Sequence, residues 1–504
     1  MVPWKDLFTP QIPGFKLGFF LVFPMRSRQL VNFDLSARNH QPSWTEPLQT
    51  KTFKKPCIPI TKTWLHGNSL DSFSEDCLYL NIIAPVNGTN HPVLVYIHGG
   101  NFCFGDCVRS GFDKYVKNFV SRGVIVVTVA YRLGIYGYFS TGDTHAEGNN
   151  GLWDQFAPLN SSMKTFPTSV VIPTMSRFGD NPQCGIGTSL GNQRDASVYS
   201  TKKLATALGC EFEKSVDIKE FLKKQKPEDI IEVSSTQFVS DFTADRFDEK
   251  YLCFGVRIDN DFLGGKRVEE LISTAPPKPT LFGLMANECG PFLSMSLTPD
   301  EIQNYSKSDV ITGINKVISE KAAGNETDAI RNELASFYLD RPTPQEPLPK
   351  FYLNQHGQFT NDYNFNASVL AEMEQKANSK WPLYFYVWNH LNTDVSKMLD
   401  CKGGFHSYEL WFISDEKVYP FDQHGPEEAQ IAHLYCELLC NFAKSGNPSM
   451  SKIEIPRYTN DKEEALWIDL EPSICKNVYA EVKEFYKKLE DKYKYSVRSG
   501  IILY

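Results

Sequence analysis

Two continuous apolar runs come early in the chain, Val93–Ile97 (VLVYI) and 124–130 (VIVVTVA). Neither alternates with polar residues, so both read as strands covered on both faces of a sheet. Two runs of the same character follow at 280–286 (TLFGLMA) and 382–388 (PLYFYVW). Helical patterns lie between and after them. Residues 426–444 open with Pro426 at the first helical position, carry Glu427 and Glu428 in the first turn and stop before Gly446. Near the C-terminus Val478, Val482, Phe485 and Leu489 recur at helical spacing as an apolar packing stripe. Strands alternating with helices predict an α/β fold, a large and mostly parallel central sheet with helices on both faces. Chemistry in such folds gathers beyond the C-terminal ends of the strands. From about 155 to 200 no period holds, and the stretch reads as a long irregular loop or an interrupted element.

Composition narrows the function classes. The 504 residues are 41% hydrophobic and 22% charged, an ordinary globular balance able to bury a sizeable core. A net charge of −8 with scattered Lys and Arg argues against a nucleic-acid partner. Twelve cysteines form no C-x-x-C pair, and neither Cys103/Cys107 nor Cys436/Cys440 has the neighbours of a zinc site, so no metal is expected. Residues 14–25 (GFKLGFFLVFPM) are too short to span a bilayer, and no small-residue cleavage site follows them. No membrane span is expected, and the compartment, secretory or cytoplasmic, stays open.

The motifs form an ordered series: Ser74–Asn81 (SEDCLYLN), His98–Phe102 (HGGNF), 131–137 (YRLGIYG) and 148–155 (GNNGLWDQ). Leu208-Gly-Cys210, the segment 259–262, Asn287-Glu-Cys-Gly290, Phe405-His-Ser407 and 441–448 (NFAKSGNP) follow at matching intervals. This series resembles the type-B carboxylesterase/cholinesterase family, which has the α/β-hydrolase fold, and it runs over roughly residues 42–490. The resemblance implies a single carboxylesterase domain over 33–495 preceded by an atypical segment 1–32. It also implies serine-type hydrolysis of a small-molecule carboxylic ester, with no cofactor. Choline esters are not expected, since Trp64 stands too early between Cys57 and Cys77 to match the family's choline-site tryptophan.

Three positions carry the implied catalysis. Glu288 follows the strand-like run 280–286, where an acid can orient a histidine and stabilise its imidazolium. The family's G-x-x-x-x-E-G is altered here, with Cys289 after the acid and Gly290 one step late; a solvated loop carboxylate is the plain alternative. His406 stands in GGFHSYEL, resembling G-x-x-H-x-x-E/D-L, and follows Glu288 in the acid-then-base order of these enzymes. Gly99 and Gly100 match the loop whose backbone N–H groups hold the oxyanion, while Asn101 replaces the third glycine.

The nucleophile is the ambiguous member. Ser189 sits in Gly187-Thr-Ser-Leu-Gly191, a G-x-S-x-G pentapeptide that arises by chance in roughly one chain of this length in six. A nucleophile elbow needs an apolar strand before it and a helix after it. Here 181–186 (NPQCGI) is no strand, and Leu208-Gly-Cys210 arrives too soon for the strand and helix the family places between. Two alignments stay open. In one, 187–191 is an altered elbow with Ser189 as nucleophile; in the other it is a later turn, and the elbow is missing.

The resemblance further implies a Cys57–Cys77 disulfide, an unpaired Cys210 and a Glu75–Arg132 ion pair. Sequons stand at Asn87, Asn160, Asn304, Asn325 and Asn366. Against the esterase reading stand two others: an inactive relative serving as a binding or adhesion domain, and a gene reading that omits the elbow.

Overall fold

The computed structural model describes residues 11–12, 15–24, 52–65, 67–165, 169–174, 196–237, 252, 254–318, 320–342, 348–416, 425–496 and 501–502. Its first sheet has the strand order β1-β2-β3-β5-β4-β6: β1 is Gln11–Ile12, β2 Phe15–Pro24, β3 Tyr79–Pro85, β4 Val93–Ile97, β5 Ile125–Val129 and β6 Ser169–Thr174. β4 lies parallel to both β5 and β6, whereas β3 runs antiparallel to β5. The second sheet is β10-β9-β8-β7, with β7 at Thr280–Met285, β8 at Leu383–Trp388, β9 at Glu464–Ile468 and β10 at Ser473–Lys476. β7, β8 and β9 are mutually parallel, and β10 turns back antiparallel.

The four apolar runs read from the sequence are β4, β5, β7 and β8, and every residue of β4, β5 and β8 is buried. Such strands need cover on both faces. The helices that position the site are α1 (Asn150–Thr165), α2 (Ala196–Ala207), α3 (Gly290–Met295), α4 (Leu348–Asn361), α5 (Ala367–Asn378), α6 (Leu410–Ile413), α7 (Pro426–Ser445) and α8 (Ala480–Tyr493). α7 begins at Pro426 and ends on Gly446 in the left-handed conformation, as its terminal residues dictate. Its inner face, with Ile431, Tyr435, Leu438 and Phe442, joins a core that takes Leu94 and Tyr96 from one sheet and Tyr386 and Trp388 from the other. Gly283 of β7 is held by a close approach: a Cβ there would stand 2.0 Å from the Tyr386 ring. That ring crosses to α7, where the Tyr386 and Tyr435 hydroxyls are 2.9 Å apart.

The aperiodic stretch resolves in part. It holds the end of α1, then β6, and the start of α2. β6 occupies the far side of β4, and among the described residues no strand joins it to β7. Among the described residues the two sheets are therefore not bonded to each other, which leaves a seam between β6 and β7.

The Cys57–Cys77 disulfide is present. The expected Glu75–Arg132 pair is not made among the described residues. Arg132 instead grips Asp154 of α1 with two bonds, Nε to Oδ2 at 2.7 Å and Nη2 to Oδ1 at 2.9 Å. A planar guanidinium meets a carboxylate best in this two-point geometry, and Asp154 is buried and needs such a partner.

Candidate active site

Glu288 stands in the turn directly after β7, and His406 in the loop that follows β8 and the short helix Thr393–Leu399. Backbone bonds lace these turns together: Ala286 N–H donates to Trp388 O at 2.9 Å, Asn287 N–H to Gly404 O at 3.0 Å, and His406 N–H to Glu288 O at 3.1 Å. Gly404 is required by this lacing, since a Cβ there would lie 2.3 Å from the Trp388 ring. Glu288 is fully buried. Its Oε1 accepts the Met285 N–H at 2.8 Å, and its Oε2 lies 2.9 Å from His406 Nδ1. One carboxylate oxygen thus fixes the acid to its own strand, while the other meets the imidazole. His406 is itself 1% exposed. A carboxylate at Nδ1 favours the Nδ1–H tautomer, the arrangement a general base requires.

The altered context of Glu288 has a structural reading. Cys289 is buried, and its N–H donates to Asn361 Oδ1 at 2.5 Å. Gly290 then starts α3; a Cβ there would sit 2.2 Å from Asn287 Oδ1. The glycine is late because the close approach is late.

Sequence reasoning missed the residues that hold the imidazole from the other side. α4 runs into a π-helical turn at Asp362–Asn366 before α5 begins. That turn places Phe365 with its ring centroid 5.1 Å from that of His406. Phe292 of α3 is a further ring neighbour at 6.4 Å. Asn361, which caps the Glu288 turn, closes α4 directly before the π turn. No local pattern signals these residues, because a single π turn of five residues is too short to show a repeat.

The loop after β4 is tightly folded. Gly100 has φ of 116°, and a Cβ on it would stand 2.1 Å from Phe104 O. Asn101 and Phe102 follow with φ of 52° and 59°. Asn is tolerated there, so the loop keeps a left-handed path without the third glycine. The Gly100 carbonyl accepts from Cys103 at 2.8 Å and Phe104 at 3.0 Å. Among the described residues the Gly99 and Gly100 N–H groups have no acceptor. Asn101 Oδ1 is buried, also without a partner. His98 anchors the loop, stacked on Tyr131 at 4.4 Å; burial holds its imidazole below the ordinary histidine value, so it stays neutral.

Ser189 lies outside the described residues, and β6 ends at Thr174, well upstream of it.

A sequence model described as the carboxylesterase family matches residues 36–161 and 185–492. The chain belongs to the carboxylesterase family. Gut esterase 1 of Caenorhabditis briggsae is 26% identical, over 96% of this chain and 92% of its own. Gut esterase 1 of Caenorhabditis elegans is 27% identical over 89% and 85%. Pyrethroid hydrolase Ces2a of Mus musculus is 24% identical over 83% and 76%. The fold is accordingly the α/β-hydrolase fold, and by family the chain is a serine-type carboxylic ester hydrolase acting on ester substrates. The family match breaks between 161 and 185, the interval that contains β6.

Proposed function

We propose that this chain's own hydrolytic site is built from His406 as base, Glu288 as its orienting acid and the Gly99 and Gly100 amides as oxyanion donors. The observation that carries this reading is the 2.9 Å contact between Glu288 and His406, both buried beyond parallel strands. Ser189 is assigned as nucleophile. Its oxygen adds to the ester carbonyl as His406 Nε2 takes its proton, and that proton leaves with the alcohol as the acyl-serine forms. Water, deprotonated by the same imidazole, then releases the acid. Loop amides without protein acceptors suit a carbonyl oxygen that gains charge in the transition state. The substrate proposed is a small or medium acyl ester.

A second reading draws on the seam between β6 and β7. If the elbow is missing, His406 has no hydroxyl to activate, and the chain serves as a non-catalytic binding domain. Hydrolysis of p-nitrophenyl butyrate by purified protein separates the two. The enzyme reading expects turnover that falls at least about 10³-fold in His406→Ala, as for loss of a triad base. Equal rates in both proteins contradict it.

A further inference from the structure

Glu288 and His406 stand beyond strands of one sheet and the Gly99–Gly100 loop beyond a strand of the other, and among the described residues no strand bonds β6 to β7. The core around Tyr96, Tyr386 and Trp388 packs the two halves together. Apolar contact is non-directional and leaves room for one half to slide on the other. Hydrogen bonds, being directional, do not.

The short helix Asp113–Asn118 shows where such bonds lie. Its cap position is held by Phe112, whose side chain makes no capping bond, although the first N–H groups of any helix need acceptors. The acceptor comes from the histidine's side of the molecule. Asp415, half-buried just past α6, takes the Phe112 N–H at 2.8 Å and the Asp113 N–H at 2.7 Å on Oδ2. Its Oδ1 takes the Lys114 N–H at 3.1 Å, and its own N–H donates to Ser110 O at 2.9 Å. Gly111 makes room for this carboxylate: it has φ of 62°, and a Cβ there would stand 2.2 Å from Asp415 Oδ2. Alongside, Asn118 Nδ2 donates to Phe412 O at 2.8 Å and Lys114 Nζ to Trp411 O. A helix of six residues is too short to persist unaided, so its form depends on the cap lent from beyond α6.

The path runs back from this helix to the oxyanion loop. Ser110 Oγ donates to Cys107 O at 2.9 Å, and Asp106 Oδ1 accepts the Val108 and Arg109 N–H groups at 2.8 and 2.7 Å. Gly105, next to Asp106, lies so close to the loop that a Cβ on it would stand 2.4 Å from Gly99 O. In the other direction Ser414, next to Asp415, donates its N–H and its hydroxyl to Leu410 O at 2.9 and 3.0 Å. The Leu410 N–H donates in turn to the carbonyl of Ser407, beside His406, at 3.2 Å. One aspartate thus stands midway on a bonded path from Gly99 to His406.

We propose that Asp415 is a positioning residue for the hydrolytic site: by capping helix 113–118 from the histidine's side of the seam, it sets where the Gly99–Gly100 amides stand relative to the His406 ring. The proposal rests on the reading of those residues as oxyanion donors and base. Asp415 acts through the loop and not on the ester.

The test compares the full chain with Asp415→Ala and Asp415→Asn, by hydrogen exchange read as peptide mass and by steady-state hydrolysis of p-nitrophenyl butyrate. Asp415→Ala is expected to speed exchange in helix 113–118 and also in both arms of the path, the loop 98–105 and the turn 403–410, while β8 keeps its protection. The kcat should fall on the order of 10- to 10²-fold with KM little changed, because bound ester then meets donors and base that are out of place. Asp415→Asn keeps one acceptor oxygen and should recover part of both losses. Faster exchange confined to 113–118 marks a local cap and overturns the proposal. So does unchanged exchange, or an unchanged kcat beside a wild type that turns over. Should Asp415→Ala not fold, Gly111→Ala drives a Cβ against the same carboxylate and must spread exchange to both arms; a change that stays local refutes the assignment. If wild type hydrolyses no ester, it is the reading of the hydrolytic site that fails, and the exchange pattern alone decides whether Asp415 couples the loop to the histidine turn.

Discussion

His406 can act as a base only if its ring is held in one tautomer, and the Glu288 contact at 2.9 Å is what holds it. Glu288→Gln keeps the shape but turns a charged acceptor into an amide, which lets the imidazole reverse its tautomer. We expect kcat to fall about 10⁴-fold with little change in KM, as when an orienting acid is made an amide elsewhere; steady-state kinetics on p-nitrophenyl butyrate check it. The oxyanion loop offers a second prediction at this scale. Gly100→Ala must place a Cβ against Phe104 O at φ 116°, costing about 2 kcal/mol or more through strain. Denaturant unfolding should register the loss, and an unchanged midpoint would contradict this loop geometry. His406, Glu288, Gly99 and Gly100 could be picked out as candidates because each sits in a contiguous motif whose spacing follows from one turn.

At the scale of elements, the π-helical turn does what no strand or loop of the site does: it presses Phe365 on the imidazole while Asn361 caps the acid's turn. Its internal anchor is Asp362, fully buried, which accepts from Tyr338 at 3.0 Å, Gln358 at 2.9 Å and Asn366 at 2.7 Å. This also settles one sequon, since Asn366 is 2% exposed and is not available as a glycan acceptor in the folded chain. Burial outweighs the three donors and pushes the Asp362 carboxyl up to about 6 from 3.8. Because the folded form holds the proton more tightly than the unfolded one, its stabilising contribution is complete below the unfolded value and is lost as pH rises through 6. The interval is worth about 3 kcal/mol at most. Asp362→Asn should flatten the unfolding free energy between about pH 4 and 6; a slope unchanged from wild type would contradict this. The sequence could not show any of this. Residues 361–366 carry no motif, and their role depends on His406, which is distant in sequence.

For the whole molecule, what was legible divides along the seam. β4, β5, β7 and β8 could be read because strands buried on both faces are continuously apolar. β6 could not, because Pro173, which has no N–H to give a ladder, interrupts its apolar run. The family match breaks over this same interval, and among the described residues no strand bonds β6 to β7. A core shared by Tyr96, Tyr386, Trp388 and α7 still binds the two halves together. The acid and histidine lie on one side of this seam and the Gly99–Gly100 loop on the other, so a serine must be delivered between them for the site to work. A fluorophosphonate reacts only where a base-activated serine faces such donors, and mapping its adduct asks the question directly. The account predicts one adduct, on Ser189, which disappears in Ser189→Ala and in His406→Ala. A folded chain that takes up no label would contradict it.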